Sequence, residues 1–477
     1  MKKKKIQILL TAMGTAAMLA ACGQAAAAGI TTQTREKTAA SATSQTQTGL
    51  TASAQDTGID ADKEFTDRDM EQNPDLSGAT ELTLKDGEDI RIDSEGVYVI
   101  SGSAQDATIL VDAADEDKVQ LVLQNISITN GSAPCIYVKN ADKVYVTTPD
   151  GESSLSVTGS FTDYDDAGTD AAVFSADDLV LNGTGTLTVN STDHGICSKD
   201  DLKITGGSLE ISCTGSALKA HDRIAVADGN IRITECNDGL HAENNEDDSQ
   251  GSIYIADGTI TVNASDDAIH GTTVVRIDGG DLTLTGQECI EGTYIQINDG
   301  TIDISASDDG INAASKSSSY TPLYEQNGGV VTIRMGAGDT DGVDSNGDII
   351  INGGTIDITG QSTFDHDGTA TYNGGTIIEN GQQTDTISNQ EFGHPMGGGN
   401  RPPMGDGDWP QMDDGNRPPM GDGNLPQMGD GNLPQMDDGN LPQMDDGNNG
   451  PGMGRPPQWD DSTEQQLPRD NEHGEGQ

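Results

Sequence analysis

The sequence predicts an all-β protein folded as a right-handed parallel β-helix, and three observations point to this class. A strand-like unit recurs about every 21 or 22 residues in the middle of the chain. Each unit alternates apolar and polar side chains, as in GTLTVN at residues 185–190 and GTIDIS at residues 300–305. Only 3% of the 477 residues are aromatic, so a core would have to be built from small aliphatic side chains.

In each repeat another short strand, such as LKIT, IAVA or VVRI, precedes the GTLTVN-type strand. Gly, Asp and Asn stand at the corners between strands. Stacked at about 4.8 Å, roughly a dozen coils would make a rod on the order of 60 Å long. Insertions at residues 243–250 and 313–327 interrupt the period, and such insertions often border a binding face. A β-propeller or sandwich is the alternative, but propeller repeats are about twice as long.

The N-terminus is typical of a bacterial lipoprotein signal over residues 1–21. Lys2 to Lys5 precede an apolar run that ends in LAAC, and this pattern resembles a lipobox with cleavage before Cys22 and lipidation of its thiol. The location expected is therefore the extracellular face of the cell membrane, with Cys22 as lipid anchor. A signal peptide with a chance cysteine, or an uncleaved anchor, is the alternative.

Composition predicts disorder on both sides of the repeats. Residues 22–78 are rich in Ala, Thr, Ser and Gln and read as a disordered tether. Residues 385–477 repeat Pro-, Gly-, Met- and Asp-containing octapeptides that cannot bury enough surface to offset their ordering entropy. The β-helix domain is thus expected over residues 79–384.

The net charge of −54 argues against nucleic acid and anionic lipid as partners and suits a protein that binds cations. Five cysteines follow Cys22, so at least one is expected to be unpaired after export. Cys289 stands where other repeats have Gly or Ala, which predicts a small buried side chain. We expect a monomer.

Carboxylates recur at one corner of successive repeats, as in SASDDGIN at residues 305–312. After the acid comes a small residue, then an apolar residue expected to enter the core, and three places after the acid a further polar residue. The acids are expected to point outward at the corner. The candidate residues in these positions are Asp238, Asp266, Asp267, Glu288, Glu291, Asp308, Asp309, Asn312, Asp341 and Asp344.

Like charges about 4.8 Å apart repel by roughly 3.5 kcal/mol at an effective dielectric near 20. Calcium prefers oxygen ligands at about 2.3–2.6 Å, so an ion between two coils could contact both carboxylates. We therefore predict Ca²⁺ along this corner, with Asp266, Asp267, Asp308 and Asp309 the strongest candidates. Solvated turn residues are the alternative, and His241 with His270 is a weaker candidate for a transition-metal site. STFDHDG at residues 362–368 does not align cleanly, which leaves Asp365 and Asp367 as secondary candidates.

The block EGVYVISGSAQDATILVDA at residues 95–113, followed by the GGTIDI and SDDGIN repeats, resembles a family of clostridial-type secreted carbohydrate-binding proteins. The resemblance covers about residues 79–381. It implies a pectate-lyase-like β-helix, calcium binding, and cellulose or acidic sugar polymers as ligands. Bound Ca²⁺ would bridge a uronate carboxylate that the acidic chain otherwise repels, and Lys199, Lys203, Lys219 and Arg223 would add positive charge.

Three functions remain open from the sequence. The first is a calcium-dependent polysaccharide-binding protein of the cell surface, for which no catalytic residue is expected. The second is a polysaccharide lyase, whose base would be one of the arginines Arg223, Arg232, Arg276 and Arg334. The third is an adhesin or wall spacer without sugar chemistry.

Overall fold

The structure is a computed structural model, and it describes residues 54–389 except residues 163, 165–167 and 338–339. The expected signal sequence, Cys22, residues 22–53 of the expected tether and residues 390–477 of the expected tail lie outside the described residues. In the described part of the chain, no helix has the length and apolar character needed to cross a membrane.

The described residues form short strands joined by turns. The first coils contain β1 (Thr80–Thr83), β2 (Ile90–Ile92), β3 (Gly96–Gln105), β4 (Ile109–Asp112), β5 (Lys118–Asn130), β6 (Ile136–Asn140), β7 (Lys143–Thr148), β8 (Glu152–Val157), β9 (Ala171–Ser175), β10 (Asp178–Gly183), β11 (Thr186–Asn190), β12 (His194–Ser198), β13 (Asp201–Ile204) and β14 (Ser208–Ser212). The middle coils contain β15 (Leu218–Ala220), β16 (Arg223–Val226), β17 (Asn230–Cys236), β18 (Leu240–Ala242), β19 (Ser252–Ile255), β20 (Thr259–Ala264), β21 (Ile269–Ile277), β22 (Asp281–Gly286), β23 (Ile290–Ile297) and β24 (Thr301–Ala306). The last coils contain β25 (Ile311–Ala313), β26 (Leu323–Gln326), β27 (Val330–Met335), β28 (Asp341–Ser345), β29 (Asp348–Ile351), β30 (Thr355–Thr359), β31 (Ser362–His366), β32 (Ala370–Tyr372), β33 (Thr376–Glu379) and β34 (Gln382–Thr384).

The coils stack into three parallel sheets, which confirms the predicted parallel β-helix, and in some coils one strand, such as β5 or β21, runs through two of the sheets. Sheet A is the series β13, β16, β19 and their partners, and sheet B is the series β14, β17, β20 and theirs. Sheet C runs from β2 through β12, β15 and β18 to β31. Among the described strands only β34 pairs antiparallel, with β33. The strands of sheet C were not recognised in the sequence, because several are only three residues long.

The core consists of stacked Ile, Leu and Val side chains inside the three sheets. In sheet B, Ile231 lies beside Ile260 of the next coil and Leu282 of the coil after, and all three are at most 1% exposed. Because identical small aliphatic groups stack at the strand spacing, the interior fills without large aromatic side chains. All five cysteines of the described residues are buried free thiols, and the prediction for Cys289 is confirmed at 0% exposure.

Glycine at the corner between sheets A and B is required by close approach of neighbouring coils. Gly280 and Gly300 have φ values of +96° and +105°. A Cβ on Gly300 would lie 2.9 Å from the carbonyl oxygen of Gly280. A residue with a side chain would therefore meet both backbone strain and a clash with the previous coil.

Residues 54–78, which we call the N-terminal strap, differ from the disordered tether expected there. Ile59 packs in a cluster with Tyr254 and Tyr294 on the outer face of sheet A, and Asp69 is 0% exposed. The composition of this segment is polar, but its few apolar and charged side chains find partners already fixed on the solenoid. Those partners are distant in sequence, so composition alone does not reveal the contact.

The strap runs along several coils and is held by polar contacts, some of them buried. Arg223 Nη1 donates to Glu64 Oε2 at 2.8 Å, and Lys203 Nζ donates to the Glu64 carbonyl oxygen at 2.6 Å. The amide of Gln55 pairs with both backbone groups of Thr321, at 2.8 and 3.0 Å. The side chains of Lys203 and Arg223 are therefore committed to the strap.

Candidate metal centre

The corner between sheets B and C carries the acidic positions, and the sequence alignment of its coils holds in the structure. Strand pairing places Ile269 beside Ile290, Ile311 and Val343 in turn, and each is 0% exposed. Backbone hydrogen bonds also join neighbouring coils at the acids, since Cys289 N donates to the carbonyl oxygen of Asp309. The predicted core position and the predicted stacking of the acids are thus observed.

A second polar position lies three residues after each acid, on the outer face of sheet C. We call this series the outer column. From one end to the other it contains Lys219, His241, His270, Glu291, Asn312, Asp344 and Asp365. The column therefore changes from basic to acidic side chains along the helix axis.

The acids are more buried than the expected outward-pointing corner residues. Asp238, Asp267 and Glu291 are 7%, 8% and 3% exposed. Two of the strongest sequence candidates, Asp266 and Asp308, are exposed, while the acids that follow them are covered. The outer column explains the burial, because its side chains stand directly beside the corner acids.

The remaining candidates are less exposed than Asp266 and Asp308. Four of them, Glu288, Asp309, Asp341 and Asp344, are half-buried. The fifth, Asn312, is 9% exposed.

At the middle of the column, the acids contact basic side chains of the protein. His270 Nδ1 lies 2.8 Å from Asp267 Oδ2 and 2.6 Å from Glu291 Oε2. Lys316 Nζ contacts the other oxygen of Glu291 at 2.7 Å. His241 Nδ1 lies 3.1 Å from Asp238 Oδ2 in the preceding coil.

These contacts shift the titration of the groups involved. Burial alone would lower the pKa of His270, but the hydrogen bonds to Asp267 and Glu291 outweigh it and raise the pKa to about 10. Burial alone would raise the pKa of Glu291, but the bonds from His270 and Lys316 lower it to about 2. This part of the column is a chain of ion pairs.

The other end of the column differs from this chain of ion pairs. We call it the acidic end, and it comprises Asp344 and Asp365 of the column with the neighbouring corner acids Asp309 and Asp341. Burial, together with the carboxylates of Asp344, Asp308 and Asp341, raises the pKa of Asp309 to about 7, although one backbone hydrogen bond opposes the shift. Burial and the neighbouring carboxylates of Asp341 and Asp365 together raise the pKa of Asp344 to about 6. Negative charge is thus concentrated here.

Oxygen atoms of uncharged side chains complete this acidic end. Asn312 Nδ2 donates to Glu288 Oε2 at 2.9 Å, which leaves its Oδ1 buried without a hydrogen-bond partner. Ser362 follows Asp341 in the strand register, is 1% exposed, and its Oγ also lacks a hydrogen-bond partner. Buried polar atoms are almost always paired, so orphaned oxygens beside carboxylates mark a place suited to a cation.

The last coil follows the same pattern as the others, although its sequence did not align cleanly. Ser362 occupies the acid position, Phe364 the core position and Asp365 the outer column. Ser in place of the acid and Phe in place of a small aliphatic side chain hid the repeat.

Sequence analysis missed Lys316 and a second series of acids. Lys316 lies in the insertion at residues 313–327, where nothing in its neighbourhood indicated a partner. The second series lies at the corner between sheets C and A and comprises Asp117, Asp142, Asp177, Asp200 and Asp222. Burial raises the pKa values of Asp177 and Asp200. Their recurrence in ADED, NADK, SADD and SKDD was the available signal.

The basic candidates divide between two faces. Lys199 and Lys219 lie on the sheet C side, where their Nζ atoms are 3.1 Å from His221 Nε2 and 3.0 Å from His194 Nε2. Lys203 and Arg223 bind the strap on sheet A.

The arginines considered as lyase bases lie on sheets A and B. Arg223 binds Glu64, and Arg276 binds Asp278 and the carbonyl oxygen of Ile59 in the strap. Arg334 lies 3.5 Å from Asp303 on sheet B, and Arg232 is exposed on the same sheet.

Comparisons with known proteins identify relatives of this solenoid. The model of the family described as carbohydrate-binding domain-containing protein matches residues 86–339. A carbohydrate-binding domain-containing protein of Acetivibrio thermocellus is 36% identical over 201 residues, which cover 41% of this chain and 70% of the relative. A solved structure, the gadolinium derivative of the polysaccharide lyase-like protein from C. thermocellum, is 29% identical, with a TM-score of 0.41, and the match covers 47% of this chain and 93% of that one. The family match spans more than half of the chain, so the chain belongs to the carbohydrate-binding domain-containing protein family.

Proposed function

We propose that this protein is a surface-anchored lipoprotein that binds acidic polysaccharide through Ca²⁺ held at the acidic end of the outer column. Membership of the carbohydrate-binding family supports carbohydrate as the ligand class. The observation that carries the calcium proposal is the group of half-buried carboxylates at Asp309 and Asp344 beside the orphaned oxygen of Asn312.

The ligand set fits calcium in chemical type. Asp309, Asp341 and Asp344 offer carboxylate oxygens, and Asn312 and Ser362 offer neutral ones. Ca²⁺ takes six to eight oxygen ligands in flexible geometry, so water and carbohydrate oxygens would fill the remaining positions. A bound divalent ion would also remove the repulsion that raises the pKa of Asp309.

The change from basic to acidic side chains along the outer column supports an acidic polymer as the ligand. A chain with a net charge of −54 repels uronates over most of its surface. The outer column offers two exceptions, which are Lys219 at its basic end and the proposed Ca²⁺ at its acidic end. A polysaccharide lying along the axis would meet a new coil about every 4.8 Å, so successive sugar units would meet successive side chains.

Retention on polysaccharide tests this function. The full-length protein is incubated with insoluble polygalacturonate and, separately, with cellulose, in Ca²⁺ or in chelator. We expect calcium-dependent retention on polygalacturonate, its loss in the Asp309→Asn/Asp344→Asn double variant, and its preservation in Asp281→Asn, an exposed acid on sheet B.

Three outcomes count against the proposal. Retention that chelator leaves unchanged would remove the role of calcium, and retention on cellulose alone would replace the acidic ligand with a neutral one. Unsaturated uronate absorbance in the supernatant would instead indicate lyase chemistry.

Anchoring at Cys22 is tested separately, since this residue lies outside the described structure. The Cys22→Ser variant is expected to leave the membrane fraction and to keep its polysaccharide binding. A variant that still sediments with membranes would contradict lipid anchoring.

A further inference from the structure

The middle of the outer column contains a cluster of nitrogen and oxygen donors that the calcium proposal does not use. His270 Nδ1, Asp267 Oδ2 and Glu291 Oε2 lie within 4.8 Å of one another, and all three residues are buried. We propose that this cluster is a separate site for a transition-metal ion of the Zn²⁺ class. The proposal does not depend on the function proposed above.

The donor types favour a transition metal over calcium. Imidazole nitrogen is a preferred ligand of zinc and its neighbours, whereas Ca²⁺ takes oxygen ligands. One histidine and two carboxylates supply three protein ligands, which leaves a fourth position for water. The acidic end of the column offers only oxygen donors among the residues that the structure describes there, so the two sites should select different ions.

The distances are close to those a metal requires. The single N–H of His270 Nδ1 faces two carboxylate oxygens, at 2.8 and 2.6 Å, and cannot lie in line with both. A zinc ion bonds each donor at about 2.0–2.2 Å, and tetrahedral ligands then lie roughly 3.3 Å apart. Moving each carboxylate oxygen about half an ångström further from His270 Nδ1 would therefore give the nitrogen–oxygen separations of a metal site in place of the shared proton.

Neighbouring residues already orient the ligands. Lys316 holds Glu291 Oε1 at 2.7 Å, which directs Oε2 toward His270. The His241 ring stacks on the His270 ring with centroids 4.6 Å apart and fixes its plane. Such supporting contacts commonly change metal affinity about 10- to 100-fold, so this cluster has the features of a prepared site.

Metal titration of the tag-free, full-length protein tests the proposal. Chelator-treated protein is returned to excess Ca²⁺ and titrated with Zn²⁺ by calorimetry, and with Co²⁺ by visible absorption. We expect one Zn²⁺ per chain and Co²⁺ bands typical of mixed nitrogen and oxygen ligation.

Variants separate this site from the calcium site. His270→Gln and Glu291→Gln should each weaken Zn²⁺ binding at least about tenfold, because loss of a ligand should cost no less than loss of a supporting contact. Asp309→Asn should leave Zn²⁺ binding unchanged. Circular dichroism shows whether each variant is folded, and the two variants serve as independent tests if one is not.

Two results would overturn the proposal. The first is Zn²⁺ binding that persists unchanged in both folded variants. The second is competition in which excess Ca²⁺ abolishes Zn²⁺ binding, which would mean that both ions use one set of acids.

Discussion

The rings of His241 and His270 lie parallel, with an interplanar angle of 8° and 4.6 Å between their centroids. His270 also lies between two carboxylates, so the positive charge belongs on this ring. The two carboxylates therefore hold a proton firmly at His270.

Titration of His270 in metal-free protein follows from this arrangement. We expect its imidazole to titrate with a pKa of about 10, measured by NMR of the ring protons. Because this pKa is raised above the unfolded value near 6.5, its contribution to stability is complete below pH 6.5 and is lost as the pH rises toward 10. An imidazole that titrates near 6.5 in the folded protein would contradict the bridge to Asp267 and Glu291.

The Asp309→Asn substitution should change stability in opposite directions with and without Ca²⁺. In chelator, the variant should melt a few degrees above the wild type, because one of several mutually repelling carboxylates is gone. In Ca²⁺, the wild type should gain more than the variant, because binding to the folded state alone adds stability. Thermal unfolding in both conditions gives the comparison, with Asp281→Asn as control. A variant destabilised in chelator would mean that the hydrogen bond from Asp341 N to Asp309 Oδ1 outweighs the repulsion between the carboxylates.

The acidic end should also give the calcium-free protein a characteristic pH dependence. The folded pKa values of Asp309 and Asp344 are raised to about 7 and about 6, above the ordinary value of 3.8. Their folding cost is therefore absent below pH 3.8, grows as the pH rises and is complete near pH 7. Chemical unfolding at pH 4, 5.5 and 7 should show this cost, and Ca²⁺ should reduce it at pH 7. Equal effects of Ca²⁺ at pH 4 and pH 7 would disagree with carboxylate ligands.

Removal of Glu64 should release the strap without unfolding the solenoid. Glu64→Ala leaves Lys203 and Arg223 without their carboxylate, and breaking a buried ion pair costs about 3 kcal/mol. We expect cleavage by a protease within residues 54–72 at least tenfold faster than in the wild type, with far-ultraviolet circular dichroism unchanged. Asp60→Ala, which removes an exposed contact to Lys63, is the matched control. Equal cleavage rates would show that the remaining contacts, such as those of Ile59 and Gln55, hold the strap without Glu64.

Truncation of one core rung tests the packing of the coils. Ile290 is 0% exposed between Ile269 and Ile311, so Ile290→Ala should lower the free energy of unfolding by about 3 kcal/mol. Thr283→Ala, an exposed position on sheet B, should change it by less than about 0.5 kcal/mol. Denaturant unfolding measures both. A small effect at Ile290 would mean that the neighbouring coils collapse into the cavity.

The register of the acid corner could be predicted from sequence because it depends on a local pattern. The order acid, small residue, apolar residue fixes which side chain enters the core at each turn, as at Asp309, Gly310 and Ile311. Stacking then repeats that choice from coil to coil. The last coil was not recognised in the sequence, because Ser362 stands at the acid position and Phe364 at the position of the small aliphatic side chain.

The neutralisation of the acids could not be predicted in the same way. Lys316 reaches Glu291 from an insertion, and Glu64 reaches Arg223 from a polar segment 159 residues earlier. These pairs depend on how chain segments outside the repeat fold over the solenoid. Spacing carries no information about such contacts.

By itself, the sequence determined the parallel β-helix, the aliphatic core and the stacking of the corner acids, because each follows from a periodic pattern that every coil repeats. Only the tertiary structure decided which carboxylates have cationic partners, since those partners come from aperiodic segments and from neighbouring coils. The same division separates Asp267 and Glu291, which share the proton of His270, from Asp309 and Asp344, which face other carboxylates.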